Sequence, residues 1–163
     1  MTLISETLTN AIQEQISSEI FNSNLYLFLA GFLKNKGLDN LGDFFLKQSE
    51  EEIGHSRLFF GLLTDLNAEV KIPEISSPDV VISTIKDIAN AYLNREIETT
   101  NSIAELKKLA MDDDNPVCEE FFRKMIGLQQ SEYEESNTFM DKAELCQNDW
   151  KFVLLWDLSG EFK

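Results

Sequence analysis

Apolar residues recur at helical spacing over most of the chain, and turn-forming residues divide this pattern into four long segments and a short tail. A polar turn at residues 35–39 contains Gly37, which suits a helix C-terminus, and Asp39, which suits the N-cap of the next helix. This short turn makes the first two helices an antiparallel hairpin. Residues 67–79 hold two prolines and two adjacent serines and show no helical period, so we expect them to form a connection.

The second half of the chain predicts another hairpin. A third helix is expected from about Val80 to Met111, and a fourth begins where Asn115 supplies an N-cap and Pro116 the first helical position. A short fifth helix follows from about Asn148 to Leu158. Extended at ~3.3 Å per residue, the ~13-residue connection between the hairpins reaches ~40 Å, enough to cross from one end of a bundle to the other.

The predicted fold is therefore all-α. It is a four-helix bundle at about residues 4–145 with one long crossover, followed by a short terminal helix at about 148–159. We expect residues 1–163 to form a single domain, because ~150 residues is an ordinary domain size. An acidic bundle without any site fits this periodicity equally well, so function has to be argued from particular residues.

Carboxylates interrupt the apolar faces of the predicted helices. An unpaired carboxylate in an apolar interior is costly, and it normally becomes protonated, paired or bound to a metal. No Lys or Arg shares these faces near the acids, so metal binding is the favoured interpretation. The polar residues on the four faces are Glu19, Glu52, His55, Glu96, Gln129 and Glu132.

The spacing of these residues repeats between the two hairpins. Glu19 and Glu52 are 33 residues apart, as are Glu96 and Gln129, and a shift of 77 residues relates the two sets. His55, the only histidine, follows Glu52 by three residues, and Glu132 follows Gln129 by three. Di-iron carboxylate bundles have this plan, with one acid on each of two helices and an i, i+3 pair on each of the other two. The oxygen-rich donor set suits iron or manganese better than structural zinc.

Net charge excludes some partners and favours others. The chain has 14 Lys and Arg residues against 29 Asp and Glu, a formal net charge of −15. Such a charge repels nucleic acid and anionic membranes and concentrates cations.

The longest apolar stretch, Leu25 to Leu33, is much shorter than the ~20 residues of a membrane span. Cys118 and Cys146 have no CxxC spacing, so we expect reduced thiols and a cytoplasmic protein.

Several assignments stay open at this stage. The fourth helix offers Gln130, Glu134 and Glu135 as rivals for the predicted pair. Tyr26, seven residues after Glu19, is either an ordinary core tyrosine or a redox or hydrogen-bonding neighbour of the metals. Glu51 is expected on a solvated face, where it could touch a peripheral ion.

At these residues the sequence resembles the bacterial non-haem ferritins over essentially its whole length. The resemblance rests on Glu19 with Tyr26, the segment Ser49 to His55, Glu96, the pair Gln129 and Glu132, the crossover and the short terminal helix. It implies an enzyme, a ferroxidase that binds two irons per subunit, oxidises Fe(II) with O2 or H2O2, and stores ferric mineral inside a 24-subunit shell. The implied roles are Glu19 and His55 for the first iron, Glu52 as the bridge, Glu96 and Glu132 for the second iron, and Gln129 beside that second iron.

The two halves differ, which matters for this implied chemistry. Gln129 occupies the position equivalent to Glu52, and Glu132 the position equivalent to His55. Bacterioferritins, in contrast, have ExxH in both halves. The second iron therefore has fewer strong ligands and should leave more readily, which favours turnover into mineral. Haem is not expected, because the first two helices contain no methionine after Met1. A third iron site is doubtful, because its positions hold Leu128 and Ser131.

Other functions share the four-helix plan. A rubrerythrin-like di-iron or manganese oxidase or peroxidase is the main alternative, and uptake of many irons per subunit would distinguish storage from it. A DNA-protecting mini-ferritin and a catalytically silent cage or interaction module are the others.

Two surface features have two interpretations each. The run Asp112 to Asp114 is either a solvated loop that favours the N-terminus of the fourth helix or a funnel that concentrates Fe(II). The apolar terminal segment, which holds both tryptophans, Trp150 and Trp156, either closes the end of the bundle or contacts another subunit.

Overall fold

Five helices follow one another in the computed structural model, which describes residues 1–162. They are α1 (Glu6–Asn35), α2 (Asp39–Asp65), α3 (Ile85–Asp112), α4 (Pro116–Leu145) and α5 (Trp150–Ser159). Short turns join α1 to α2 and α3 to α4, and each of these pairs packs as a hairpin. Residues 66–84 form the long connection between α2 and α3. The predicted all-α bundle with one crossover and a short fifth helix is confirmed.

In the turn between α1 and α2, the end of α1 is formed as predicted, but the start of α2 is not. Gly37 has a φ of 77°, and the amides of Gly37 and Leu38 donate to Lys34 O and Leu33 O, the pattern of a Schellman motif. The predicted N-cap at Asp39 is wrong. Leu38 occupies the cap position without a side-chain hydrogen bond.

Asp157 of α5 instead accepts hydrogen bonds from residues at the start of α2. Oδ1 of the buried Asp157 accepts from the Leu41 amide at 2.8 Å, and its carbonyl accepts from Asn40 Nδ2 at 2.9 Å. A carboxylate at a helix N-terminus satisfies a free amide and complements the helix dipole. This contact fixes α5 against the bundle.

The third helix begins later than predicted. It starts at Ile85, not at about Val80, because Thr84 and Asp87 form a capping box there. Hydrogen bonds from the amides of Ser83 and Thr84 lower the pKa of Asp87. The predicted start of the fourth helix is confirmed, with Asn115 as the N-cap and Pro116 in the first turn.

Two apolar clusters fill the bundle, and a polar layer lies between them along every helix. On α1, one cluster takes residues 8–16 and the other takes residues 25–33, so Glu19 and Asn22 fall between them. On α2, α3 and α4 the polar residues likewise fall between the two clusters. The polar layer is therefore held in the middle of the bundle by apolar packing on both sides.

Helix α5 presents two different faces. Val153 and Trp156 are buried in the apolar cluster at its end of the bundle, which is the closing role considered above. The opposite face remains exposed in the single chain and consists of Phe152, Leu154, Leu155 and Leu158. Within residues 1–162, none of the helices has the length and apolar character needed to cross a membrane.

Candidate metal centre

The polar layer gathers side chains from four helices. Glu19 of α1, Glu52 of α2 and Glu96 of α3 are buried, as is Gln129 of α4. His55 and Glu132 complete the layer, and each side chain is 13% exposed. The structure thus brings all six sequence-predicted ligands together, and it places Tyr26 directly beside them.

The acids and the histidine form two overlapping groups that could each hold a metal ion. The first contains Glu19, Glu52 and His55, and the second contains Glu52, Glu96 and Glu132. Within each group, one candidate ligand atom from every residue lies within 4.8 Å of the others. Glu52 belongs to both groups, so its carboxylate could serve two neighbouring ions.

Hydrogen bonds and one close polar contact orient most of these side chains. His55 Nε2 lies 3.3 Å from Glu132 Oε1, and Gln129 Nε2 donates to Glu96 Oε2 at 2.6 Å. The hydroxyl of Tyr26 donates to the other oxygen of Glu96. In the first group, Gln15 Nε2 donates to Glu19 Oε1 at 2.7 Å. Glu19 and Glu96 are therefore held by residues outside the two metal-binding groups, as metal ligands in proteins usually are.

Two carboxylate oxygens lie at the centre without any hydrogen-bond partner among the described residues. They are Glu19 Oε2 and Glu132 Oε2, and both are buried. A buried carboxylate oxygen without a donor is costly. Glu19 belongs to the first group and Glu132 to the second, so a cation in each group would satisfy both oxygens. This donor set fits an oxygen-preferring ion such as iron or manganese.

Burial and mutual repulsion raise the pKa values of these acids. Burial, followed by the nearby carboxylates of Glu96 and Glu19, raises the pKa of Glu132 to about 9. Burial also raises the pKa of Glu96, and burial together with Glu19 holds that of Glu52 well above its usual range. The metal-free centre therefore retains protons at neutral pH, and binding of a cation has to displace them.

Tyr26 is a buried donor at this centre. Burial and the adjacent Glu96 hold the pKa of its phenol well above the ordinary value. The hydroxyl therefore keeps its proton and donates a hydrogen bond to Glu96. Its ring also meets Tyr92 edge to face, with the centroids 5.4 Å apart. Tyr26 is thus both a core aromatic residue and a hydrogen-bonding neighbour of the site.

The rival residues on α4, Gln130, Glu134 and Glu135, belong to neither metal-binding group. Gln130 and Glu134 are exposed, and they hydrogen-bond to each other at 2.8 Å. Glu135 is half-buried and accepts from Gln48 Nε2 at 3.1 Å, beside Glu51 Oε2 at 3.3 Å from the same nitrogen. Leu128 and Ser131 are exposed, and so are Asp112 to Asp114.

Sequence reasoning missed two residues next to the acids. Arg95 of α3 lies outside the apolar faces, on which no Lys or Arg was expected, but its side chain reaches α1, where its Nε donates to Asn22 Oδ1 at 2.7 Å. Asn22 Nδ2 in turn lies 3.2 Å from Glu52 Oε2. The sequence held a signal for both: the 77-residue shift relates Ser18 to Arg95 and Asn22 to Thr99, and hydrogen bonds join both pairs.

The fold and the two overlapping groups define a class of protein: an all-α bundle with buried carboxylates that could hold metal ions. The sequence matches the Ferritin-like domain family over residues 9–146. The chain therefore belongs to that family.

Known relatives agree with this assignment. A bacterial non-heme ferritin of Staphylococcus aureus strain USA300 is 21% identical over 155 residues, which cover 95% of this chain and 93% of the relative. One from Staphylococcus epidermidis is 23% identical with the same coverage. Among solved structures, an open pore ferritin from the archaeon Archaeoglobus fulgidus superimposes with a TM-score of 0.92 at 23% identity, covering 98% of this chain and 99% of that one. At this identity, the structural likeness concerns the fold.

Proposed function

We propose that this chain is an iron-storage ferritin with ferroxidase activity, which binds two Fe(II) ions at the mid-bundle centre and oxidises them with O2 or H2O2. The observation that supports this most directly is the pair of carboxylate groups that share Glu52. In this proposal Glu19 and His55 hold the first iron, Glu52 bridges, and Glu96 and Glu132 hold the second. Iron is the substrate as well as the cargo, since each Fe(II) gives one electron to the oxidant and leaves as ferric ion.

The asymmetry of the two groups favours storage over a resident cofactor. The first group contains the imidazole of His55, whereas the second has three carboxylates, with Gln129 bound to Glu96. An amide is a weaker metal ligand than a carboxylate or an imidazole, so Gln129 adds little to the second iron. Compared with a centre that has ExxH in both halves, the second ion has an amide in place of one carboxylate and a carboxylate in place of one imidazole. We therefore expect it to exchange more readily, as turnover into a mineral requires.

The exposed apolar residues support assembly of several copies. The outer face of α5 exposes 63% of Leu155 and 68% of Leu158, and α1 exposes 54% of Leu27. Apolar surface of this kind favours contacts between subunits, and closed symmetry then gives a finite shell. We propose a homo-oligomeric cage in the cytoplasm, of 24 subunits by analogy with the ferritins, that encloses the ferric mineral.

A size measurement combined with aerobic Fe(II) titration tests this proposal. Light scattering should show a large shell, and the shell should take up many ferric ions per subunit. Retention of only two irons per chain would favour the di-iron oxidase instead.

The role of the centre is tested with ligand variants. Glu52→Ala and His55→Ala should each abolish the fast phase of Fe(II) oxidation in stopped-flow absorbance, because each removes a ligand of the proposed first iron. Glu134→Ala is the matched control, since Glu134 lies on the exposed face of α4. Wild-type rates in both ligand variants would overturn the proposed centre.

A further inference from the structure

A polar contact between α1 and α3 links the protein surface to the shared carboxylate. The Arg95 side chain is 18% exposed. Its Nε donates to Asn22 Oδ1 at 2.7 Å, its Nη2 donates to Ser18 Oγ at 3.0 Å, and its Nη1 pairs with Glu98. The guanidinium also lies over the ring of Phe21, 4.9 Å from its centroid. Three of these contacts, with Asn22, Ser18 and Phe21, fix the guanidinium of Arg95 on α1.

This contact determines which way the Asn22 amide points. Arginine can only donate hydrogen bonds, so the amide oxygen of Asn22 has to face Arg95. The amide nitrogen then faces the opposite way, where it donates to Glu52 Oε2 at 3.2 Å and to Thr99 Oγ1 at 3.1 Å. A flipped amide would place two donors against each other at Arg95 and two acceptors against each other at Glu52. Both amide N–H groups and the amide oxygen of Asn22 therefore find partners in one orientation only.

We infer that Arg95 is a positioning residue for the metal centre, which acts through Asn22 to hold the carboxylate of Glu52. Glu52 Oε2 accepts from Asn22, and Oε1 points towards His55, 4.0 Å from its Nδ1. Since Glu52 belongs to both candidate groups, holding it prepares both ion positions at once. The inference rests on the proposed function in that it assumes metal binding at this centre.

The sign of the effect on metal affinity separates positioning from simple charge. A positive charge close to a cation site repels the cation, so removing Arg95 should tighten metal binding if only charge matters. Loss of a hydrogen-bonding partner that orients a ligand instead weakens metal binding, typically by about 10- to 100-fold. We expect Arg95→Met to weaken binding by about 10-fold, because methionine keeps an unbranched stem over Phe21 and removes every donor.

A double-mutant cycle tests whether Arg95 acts through Asn22. Co(II) is the probe, and its visible absorption is followed in anaerobic titrations of the full-length wild type, Arg95→Met, Asn22→Ala and the double variant. If Arg95 works through Asn22, the double variant should lose about as much affinity as Asn22→Ala alone, because coupled residues are not additive. Arg123→Met is the matched control, since it removes an exposed arginine that is paired with Glu120 on α4.

A second substitution covers the case in which Arg95→Met does not fold, as judged by circular dichroism. Arg95→Lys keeps the charge and the stem but lacks the planar Nε donor, and it should weaken Co(II) binding severalfold. Wild-type affinity in Arg95→Lys would contradict the inference. So would unchanged or tighter binding in Arg95→Met, or losses in the double variant that multiply.

Failure of the inference is distinguishable from failure of the proposed function. A wild-type chain that binds no Co(II) would overturn the proposed metal centre. A wild-type chain that binds two Co(II) ions, with equal affinity in the Arg95 variants, would overturn the role of Arg95 alone. Two Co(II) ions in the wild type with weaker, non-additive binding in the variants would support both.

Discussion

Replacing Glu132 by glutamine should stabilise the metal-free protein. Glu132 has a pKa of about 9 in the folded chain against an ordinary value of 4.5. The folded state therefore holds a proton at neutral pH that the unfolded chain releases. A carboxyl with a raised pKa stabilises the fold fully below its unfolded pKa, near 4.5, and this contribution is lost as pH rises towards 9.

The magnitude follows from this difference. At pH 7 the unfolded group is about 2.5 units above its pKa, and each unit corresponds to about 1.36 kcal/mol, so folding is disfavoured by about 3 kcal/mol relative to acidic pH. The side chain is only 13% exposed, so solvent screening reduces this figure little. Glutamine has the same shape without a charge. Glu132→Gln should raise the melting temperature of the metal-free protein by about 6 to 12 °C at pH 7.

Calorimetry in the presence of a chelator measures this shift. At pH 5 the difference should fall below about 1 kcal/mol, because the unfolded carboxyl is then close to its own pKa. Glu134→Gln, at an exposed position of the same helix, should change little at either pH. An unchanged melting temperature for Glu132→Gln at pH 7, or equal shifts at pH 5 and pH 7, would refute the reasoning.

Three further predictions concern metal binding, access and assembly. Co(II) binding should release protons at pH 7 and strengthen as pH rises, because Glu52 and Glu96 have raised pKa values. Calorimetry in buffers of different ionisation enthalpy detects this proton release, and its absence would contradict a protonated centre. Changing Asp112 to Asp114 to asparagine should slow initial Fe(II) oxidation at low ionic strength, with a smaller difference at high salt. Equal stopped-flow rates at low salt would mean that iron enters elsewhere. Leu155→Glu with Leu158→Glu should leave a folded chain that assembles poorly in light scattering, because both side chains are exposed on α5; a shell of normal size would remove α5 from the interface.

Local signals in the sequence were enough for most helix boundaries. Gly37 and the pair Asn115 and Pro116 act within one turn of the chain, so their effects are visible from sequence alone. The start of α3 was missed because apolar residues continue the helical pattern back to Val80, whereas the Thr84 capping box determines where the helix begins. The contact of Asp157 with the start of α2 joins residues 116 positions apart, and sequence periodicity contains no information about such a contact.

The composition of the candidate centre was easier to predict than its surroundings. The 77-residue repeat and the apolar faces select the six residues that the structure brings together, because helical spacing fixes which side chains face the interior. Arg95 was missed because it lies one position from Glu96, outside the apolar face, and reaches the layer only with its long side chain. Which of the six bind iron is still a prediction.

The central claim is that two iron ions bind side by side at the mid-bundle centre and share Glu52. The most direct measurement is anomalous X-ray scattering at the iron edge from crystals of the full-length protein loaded anaerobically with Fe(II). The account predicts two peaks within each bundle, one beside Glu19 and His55 and the other beside Glu96 and Glu132, with Glu52 in contact with both. Iron found only at surface acids such as Asp112 to Asp114, with no peak inside the bundle, would contradict it.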